Sequence, residues 1–218
     1  MEAQLIQFST VVVGKVHNPT ILNPDFLRAN AIVPEDWGWE VAETMTTPPF
    51  AVVRYTSGIS VAVELNKLQV TDIDAGDSPT RSKVAEIATS YVRILPHVLY
   101  TAVGINFQSV LEMESPEGYL KNRFVKPGPW HSSKRMLSAA GVRLVYLLGN
   151  EGRFTLSFDS GEAQERGQKN RKKVLIANGN FHRDCDMHPG HEQVAKHLTN
   201  VTSDWSIYRE VLTEALAD

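Results

Sequence analysis

The 218-residue chain is 42% hydrophobic and 22% charged with a formal net charge of −3, the balance of a chain that buries a core, which argues against disordered and fibrous classes. No run approaches the roughly 18–20 apolar residues that a membrane-spanning helix needs, and the acidic opening, MEAQLIQFST, lacks the basic flank and cleavage pattern of a secretory leader. One cysteine, Cys185, excludes an intrachain disulfide framework, so the cytoplasm is the expected compartment.

In chain order, Leu5–Val16 (LIQFSTVVVGKV) reads as a strand from its β-branched run. Asn23–Trp37 (NPDFLRANAIVPEDW) opens with a capping residue and a proline at the first helical position, which predicts a short helix or turn. Phe50–Glu64 (FAVVRYTSGISVAVE) predicts a hairpin. Ile59, Val61 and Val63 alternate there with Ser60 and Ala62, the period of a half-buried strand, and Gly58 supplies turn geometry. Asn66–Asp74 (NKLQVTDID) continues as strand. A longer helix is predicted from the Ser78-Pro79 cap, with Val84, Ile87, Ala88, Tyr91, Ile94 and Leu95 as its core-facing stripe.

The remainder of the chain reads as a second writing of the same order. Val98–Leu111 (VLYTAVGINFQSVL) repeats the opening strand, and Ser115–Trp130 (SPEGYLKNRFVKPGPW) matches Asn23–Trp37 at its Pro, acid, Asn, apolar pair, Pro and Trp. Val142–Phe158 (VRLVYLLGNEGRFTLSF) repeats the hairpin, with Phe154, Leu156 and Phe158 alternating and Gly152 at the turn. Asp184–Thr199 (DCDMHPGHEQVAKHLT) matches Asp72–Thr89 through an Asp-x-Asp pair, a cap-Pro dipeptide and Val-Ala. Internal repetition of this kind predicts one domain, 1–218, built from two pseudo-symmetric repeats over about 4–95 and 97–217. The expected fold is α+β: strand, short helix, hairpin, strand and helix in each repeat, forming a mixed, mostly antiparallel sheet with helices packed on it.

YTAVGINF, the hairpin followed by NKLQVTDID, the later strand KKVLIANGNFHRDCD and the terminal SDWSIYREVLTEAL resemble a sporadically distributed, uncharacterised family of bacterial proteins of about this size. The resemblance is one of pattern, spread over most of the chain. It implies the architecture, and it implies no reaction and no catalytic residues.

The densest chemistry lies in Asn180–Gln193 (NFHRDCDMHPGHEQ), where His182, Cys185, His188 and His191 recur at every third position. A structural zinc site needs four such ligands closing a tetrahedron. Against a metal site, His188 stands where the first repeat has the cap Ser78, and Cys185 where it has Ile73. Strand geometry places His182, Asp184 and Asp186 on one face and turns Cys185 to the other. The expectation is therefore a turn and cap, with Cys185 packed in the core as a small hydrophobe. The aspartate pairs Asp72/Asp74 and Asp184/Asp186 suit strand ends before helix N-termini better than one carboxylate dyad. No nucleophile, phosphate-loop or dinucleotide motif is present, and no cofactor is implied.

Charge is unevenly spread. Residues 1–95 hold 7 basic and 11 acidic residues, and residues 119–183 hold 13 basic and 4 acidic. Glu165–Lys173 (ERGQKNRKK) fills a connection that the first repeat makes tightly, and its Arg166, Lys169, Arg171, Lys172 and Lys173 form the candidate site for an anionic partner. Trp37, Trp39 and Trp130 beside proline-rich loops are expected to plug the ends of the core. The expected function is a non-enzymatic accessory or adaptor protein that binds another macromolecule, foremost a protein, with no membrane contact and no stated oligomeric state. Two alternatives remain: a nucleic-acid-binding protein using loop 165–173, and a metal-dependent hydrolase at 182–191.

Overall fold

The computed structural model describes residues 3–131, 136–149, 152–164, 170–186 and 191–217. Among these residues nine strands form one sheet. The first five are β1 (Gln4–Lys15), β2 (Val41–Thr46), β3 (Phe50–Tyr55), β4 (Ile59–Glu64) and β5 (Lys67–Asp72). The others are β6 (Leu99–Glu112), β7 (Val142–Leu147), β8 (Arg153–Gln164) and β9 (Arg171–Asp184). Their order is β2-β3-β4-β5-β1-β6-β9-β8-β7, and every pairing is antiparallel. The sheet is thus not mixed among the described residues: short turns join β2 to β3, β3 to β4 and β4 to β5, such hairpins impose antiparallel neighbours, and the other pairings run the same way.

Among the described residues five α-helices cover one face: α1 (Pro24–Ala29), α2 (Val84–Ile94), α3 (Pro116–Phe124), α4 (Glu192–Leu198) and α5 (Val201–Leu216). None is long and apolar enough to cross a membrane, among the described residues. The Asn23 side chain accepts from the Phe26 N–H at 2.8 Å and starts α1, with Pro24 in the first turn. Ser78 caps a 3-10 turn at Pro79–Arg81 instead of the long helix itself, and α2 begins only at Val84. The break has a cause in Asp72, which accepts from the Ser82 hydroxyl at 2.6 Å and the Asp74 N–H at 2.8 Å and so fixes the strand-to-helix link. On α2 the buried stripe is Val84, Ile87, Ala88, Tyr91 and Val92, while Ile94 is exposed.

The core lies between sheet and helices. Phe8 and Val12 of β1, Ile105 and Phe107 of β6, Val61 of β4, Val70 of β5 and Phe181 of β9 face the helices and are fully or almost fully buried. Phe8 stacks on Phe107 with centroids 5.5 Å apart, across the β1–β6 pairing where the two halves of the chain meet. Phe107 also contacts Trp205 and Tyr208 of α5 at 5.2 and 5.4 Å. Gly179 of β9 lies beneath Tyr208, whose ring would stand 2.4 Å from an added Cβ, and the Tyr208 hydroxyl donates to the Ala177 carbonyl at 3.1 Å. That close approach is why this strand position has no side chain.

β2 had no counterpart in the expected element list. It is exposed along its whole length and pairs with β3 through a bulge between Val41 and Glu43. The β8–β9 hairpin is longer than expected: β8 runs to Gln164, and β9 starts at Arg171. Its outer part extends past β7, whose pairing stops at Phe158, and past β6, whose pairing stops at Val174.

Candidate functional site

The face opposite the helices carries no helix among the described residues, and register fixes which side chains it displays. Thr155, Asn180, Asn106, Ser9, Thr71 and Ser60 lie opposite one another in turn across β8, β9, β6, β1, β5 and β4. Each bears a hydroxyl or an amide and none a charge; Ser9, Thr71 and Thr155 are buried among their neighbours, and Asn180, Asn106 and Ser60 are partly exposed. The Asn180 amide donates to Asn106 Oδ1, and Asn106 Nδ2 donates to Ser9 Oγ at 3.4 Å. A neighbouring row runs Ser157, Asn178 and Gln108, with Gln108 Nε2 donating to Asn178 Oδ1 at 2.8 Å. Gln69 Nε2 reaches Thr71 Oγ1 at 3.2 Å. Charged groups in these two rows stand at the margins, Arg54 and Glu43 on β3 and β2 and Arg143 on β7. Such a surface offers donors and acceptors in fixed positions without the cations that phosphate binding requires.

Among the described residues the candidate metal ligands His182, Cys185 and His191 form no group. His182 lies on this open face with Nε2 3.0 Å from Asp184 Oδ1, while His188 lies outside the described residues. His191 precedes α4, and among the described residues it makes no side-chain cap bond and its buried Nδ1 has no partner. Among the described residues no three His, Cys, Asp or Glu side chains are grouped to hold a metal. Cys185 is half-buried against the core, and its N–H donates to the Thr101 carbonyl at 2.8 Å. Burial, with the carboxylates of Asp184 and Asp186 adding to it, pushes its thiol up to about 11, which leaves the free thiol protonated and a poor nucleophile at neutral pH. The comparison with Ile73 fails, because Ile73 is 49% exposed.

The matched aspartates also part company. Asp72 is buried on the helix side, whereas the Asp184 side chain is 79% exposed on the open side. The residue of β9 that shares Asp72's direction is Arg183, 5% exposed and bound through two nitrogens to Asp204 of α5 at 2.7 and 2.6 Å. A shift of one residue exchanges the faces of a strand, so the Asp-x-Asp likeness does not extend to environment.

Of the basic set, Arg166 and Lys169 lie outside the described residues. Arg171, Lys172 and Lys173 belong to β9 and not to a loop. Arg171 approaches Glu162 at 3.4 Å and Lys172 approaches Glu112 at 2.8 Å, so acids on neighbouring strands offset two of these cations. Trp37 and Trp39 pack together at 4.8 Å, with Trp39 on Tyr55 and the Lys83 ammonium 4.9 Å above Trp37. Trp130 does not plug the core: its indole N–H donates to the Lys126 carbonyl, which holds the exposed ring on its own loop.

Two features had no sequence signal. His17 is buried near Tyr91 and Tyr100, with neither ring nitrogen hydrogen-bonded, and burial lowers its pKa to about 4. On the helix side a cavity of about 480 Å³ is walled by Leu5, Leu111, Trp205 and Leu212, with Asp77 and Arg209 each adding a charge to its lining. Both features join residues far apart in sequence, which local patterns do not register. No protein-family model matches the chain, and no curated protein matches it.

Proposed function

We propose that this chain is a non-enzymatic accessory or adaptor protein whose open sheet face docks another protein. The observation that carries the reading is the uncharged row from Thr155 to Ser60, amides and hydroxyls spanning six strands on the face without helices, of which Asn180, Asn106 and Ser60 are partly exposed. Antiparallel sheets commonly leave one face to solvent. A side-by-side series of Asn, Ser and Thr, partly hydrogen-bonded to one another, supplies a hydrogen-bonding template well matched to a polar protein surface. We also read the chain as two pseudo-symmetric repeats meeting at β1 and β6. In support, β5, β4 and β3 follow β1 on one side, as β9, β8 and β7 follow β6 on the other.

The test is co-purification from the native host at native expression, comparing wild type with Ser60→Arg/Ser157→Arg. The two new guanidinium groups change the open face without entering the core. A protein partner retained by wild type and lost by the variant, at unchanged Tm, is the expected result. A chain that purifies alone overturns the reading, as does a partner indifferent to the variant. A bound component that is removed by nuclease and by moderate salt would assign the face to nucleic acid instead.

A further inference from the structure

The two outer strands of the sheet are built differently. β2 has the features that discourage edge pairing: a bulge between Val41 and Glu43, and an exposed Glu43–Arg54 ion pair at 2.7 Å. β7 (VRLVYL) has no proline, no acid and no bulge, and Arg143 is its only charge. Val145 and Leu147 on it are 54% and 83% exposed.

The free hydrogen-bonding groups of β7 can be assigned. The Leu148 N–H donates to the Gly152 carbonyl at 2.9 Å, which continues the β7–β8 register and marks that pair as hydrogen-bonded. Bonded and non-bonded pairs alternate in an antiparallel ladder, so Tyr146, Leu144 and Val142 bond to β8. Arg143, Val145 and Leu147 direct their N–H and C=O groups away from the sheet, and none of the three has a backbone partner among the described residues. An extended apolar edge of this kind is a template for another strand.

We infer that the strand added to β7 is β7 of a second copy of this chain, paired antiparallel about a two-fold axis through Val145. This register sets Val145 opposite the partner's Val145, and Arg143 opposite the partner's Leu147. All three outward-facing residues then enter bonded pairs, each exchanging both N–H···O bonds. Charge selects the same register. Centring the axis on Arg143 would set like charges directly opposite, whereas the Val145 register lays each guanidinium beside a leucine. On the helix side Leu144 meets the partner's Tyr146, beside the surface that Phe124, Leu144, Tyr146 and Val211 share with Arg123 and Glu214. Isologous contacts require a self-complementary patch of this kind. The two sheets become one, with both open faces on the same side.

The experiment is the mass of the purified full chain by sedimentation across a concentration series, with Val145→Pro and Leu147→Lys alongside. A chain of 24.3 kDa sediments at twice that mass when paired. Val145→Pro removes an N–H that the protomer does not use, and prolines are tolerated on edges, so Tm is retained and the dimer is lost. Leu147→Lys gives the same loss through edge charge and serves if the proline variant fails to fold. In a Cys185→Ser background, Val145→Cys forms an intermolecular disulfide on oxidation, and Leu147→Cys, offset from its own copy, does not. A wild type that stays monomeric at the highest attainable concentration overturns the inference. A dimer that survives both edge variants, or a disulfide pattern favouring position 147, overturns the assignment to this edge and register.

Discussion

His17 follows β1 with its ring among Tyr91 and Tyr100, and its backbone N–H donates to the Leu65 carbonyl at 3.1 Å. Among the described residues no partner meets the ring nitrogens, and burial lowers the pKa from 6.5 to about 4. The neutral ring is the form that folds. Between pH 4 and 6.5 the unfolded chain binds the proton and the folded one does not, so stability falls as pH drops through that window and is fully present above it. The difference amounts to roughly 3–4 kcal/mol at most. A His17→Leu variant should lose this part of the acid sensitivity: its Tm, followed from pH 7 to pH 4, falls less steeply than that of wild type. Parallel curves would show that His17 ionises without cost in the fold. Nothing in the sequence around His17 signals this burial, because it arises from tyrosines on α2 and β6 that long-range pairing brings over the end of β1.

At the scale of elements, α5 is fastened to β9 by Arg183 and Asp204, both buried, with two short bonds between guanidinium and carboxylate. Removing one member of a buried pair leaves a charge without its partner and costs about 3–5 kcal/mol, whereas replacing both with apolar side chains is often neutral. Arg183→Met should therefore lower stability by that order in chemical denaturation, and Arg183→Met/Asp204→Leu should recover most of the loss. Equal destabilisation by the single and double variants would mean that the pair contributes packing instead of charge compensation. Elements differed in how far the sequence disclosed them. β4 and β8 were legible because Ile59, Val61 and Val63, and Phe154, Leu156 and Phe158, alternate with the small residues Ser60, Ala62, Thr155 and Ser157. β2 was not, since VAETMT lies wholly exposed and has no buried face to leave a period. The start of α2 was displaced because a good cap and proline at Ser78-Pro79 nucleate a 3-10 turn, after which Asp72 holds Ser82 and re-aims the chain.

Over the whole molecule, the order of strands follows from which edges meet, and only β1 and β6 join the two halves of the sheet. The open-face row was invisible in sequence for the same reason: its residues are spread from Ser9 to Asn180, and only register brings them into line. The β1–β6 seam is also where the core is continuous, through Phe8 on Phe107. Cutting the chain between Pro96 and His97 would expose both rings, each worth about 1.5–3 kcal/mol of burial, together with two long unpaired strand edges. Fragments 1–96 and 97–218 expressed separately should be insoluble or lack cooperative unfolding, because each half keeps a sheet whose innermost strand has lost its partner. Expressed together they should co-purify as one complex with a single thermal transition, since the cut falls in a connection outside every strand and helix. Two fragments that each unfold cooperatively alone would instead make this chain two autonomous units that share a sheet edge, and the platform would then be an assembly of separable parts.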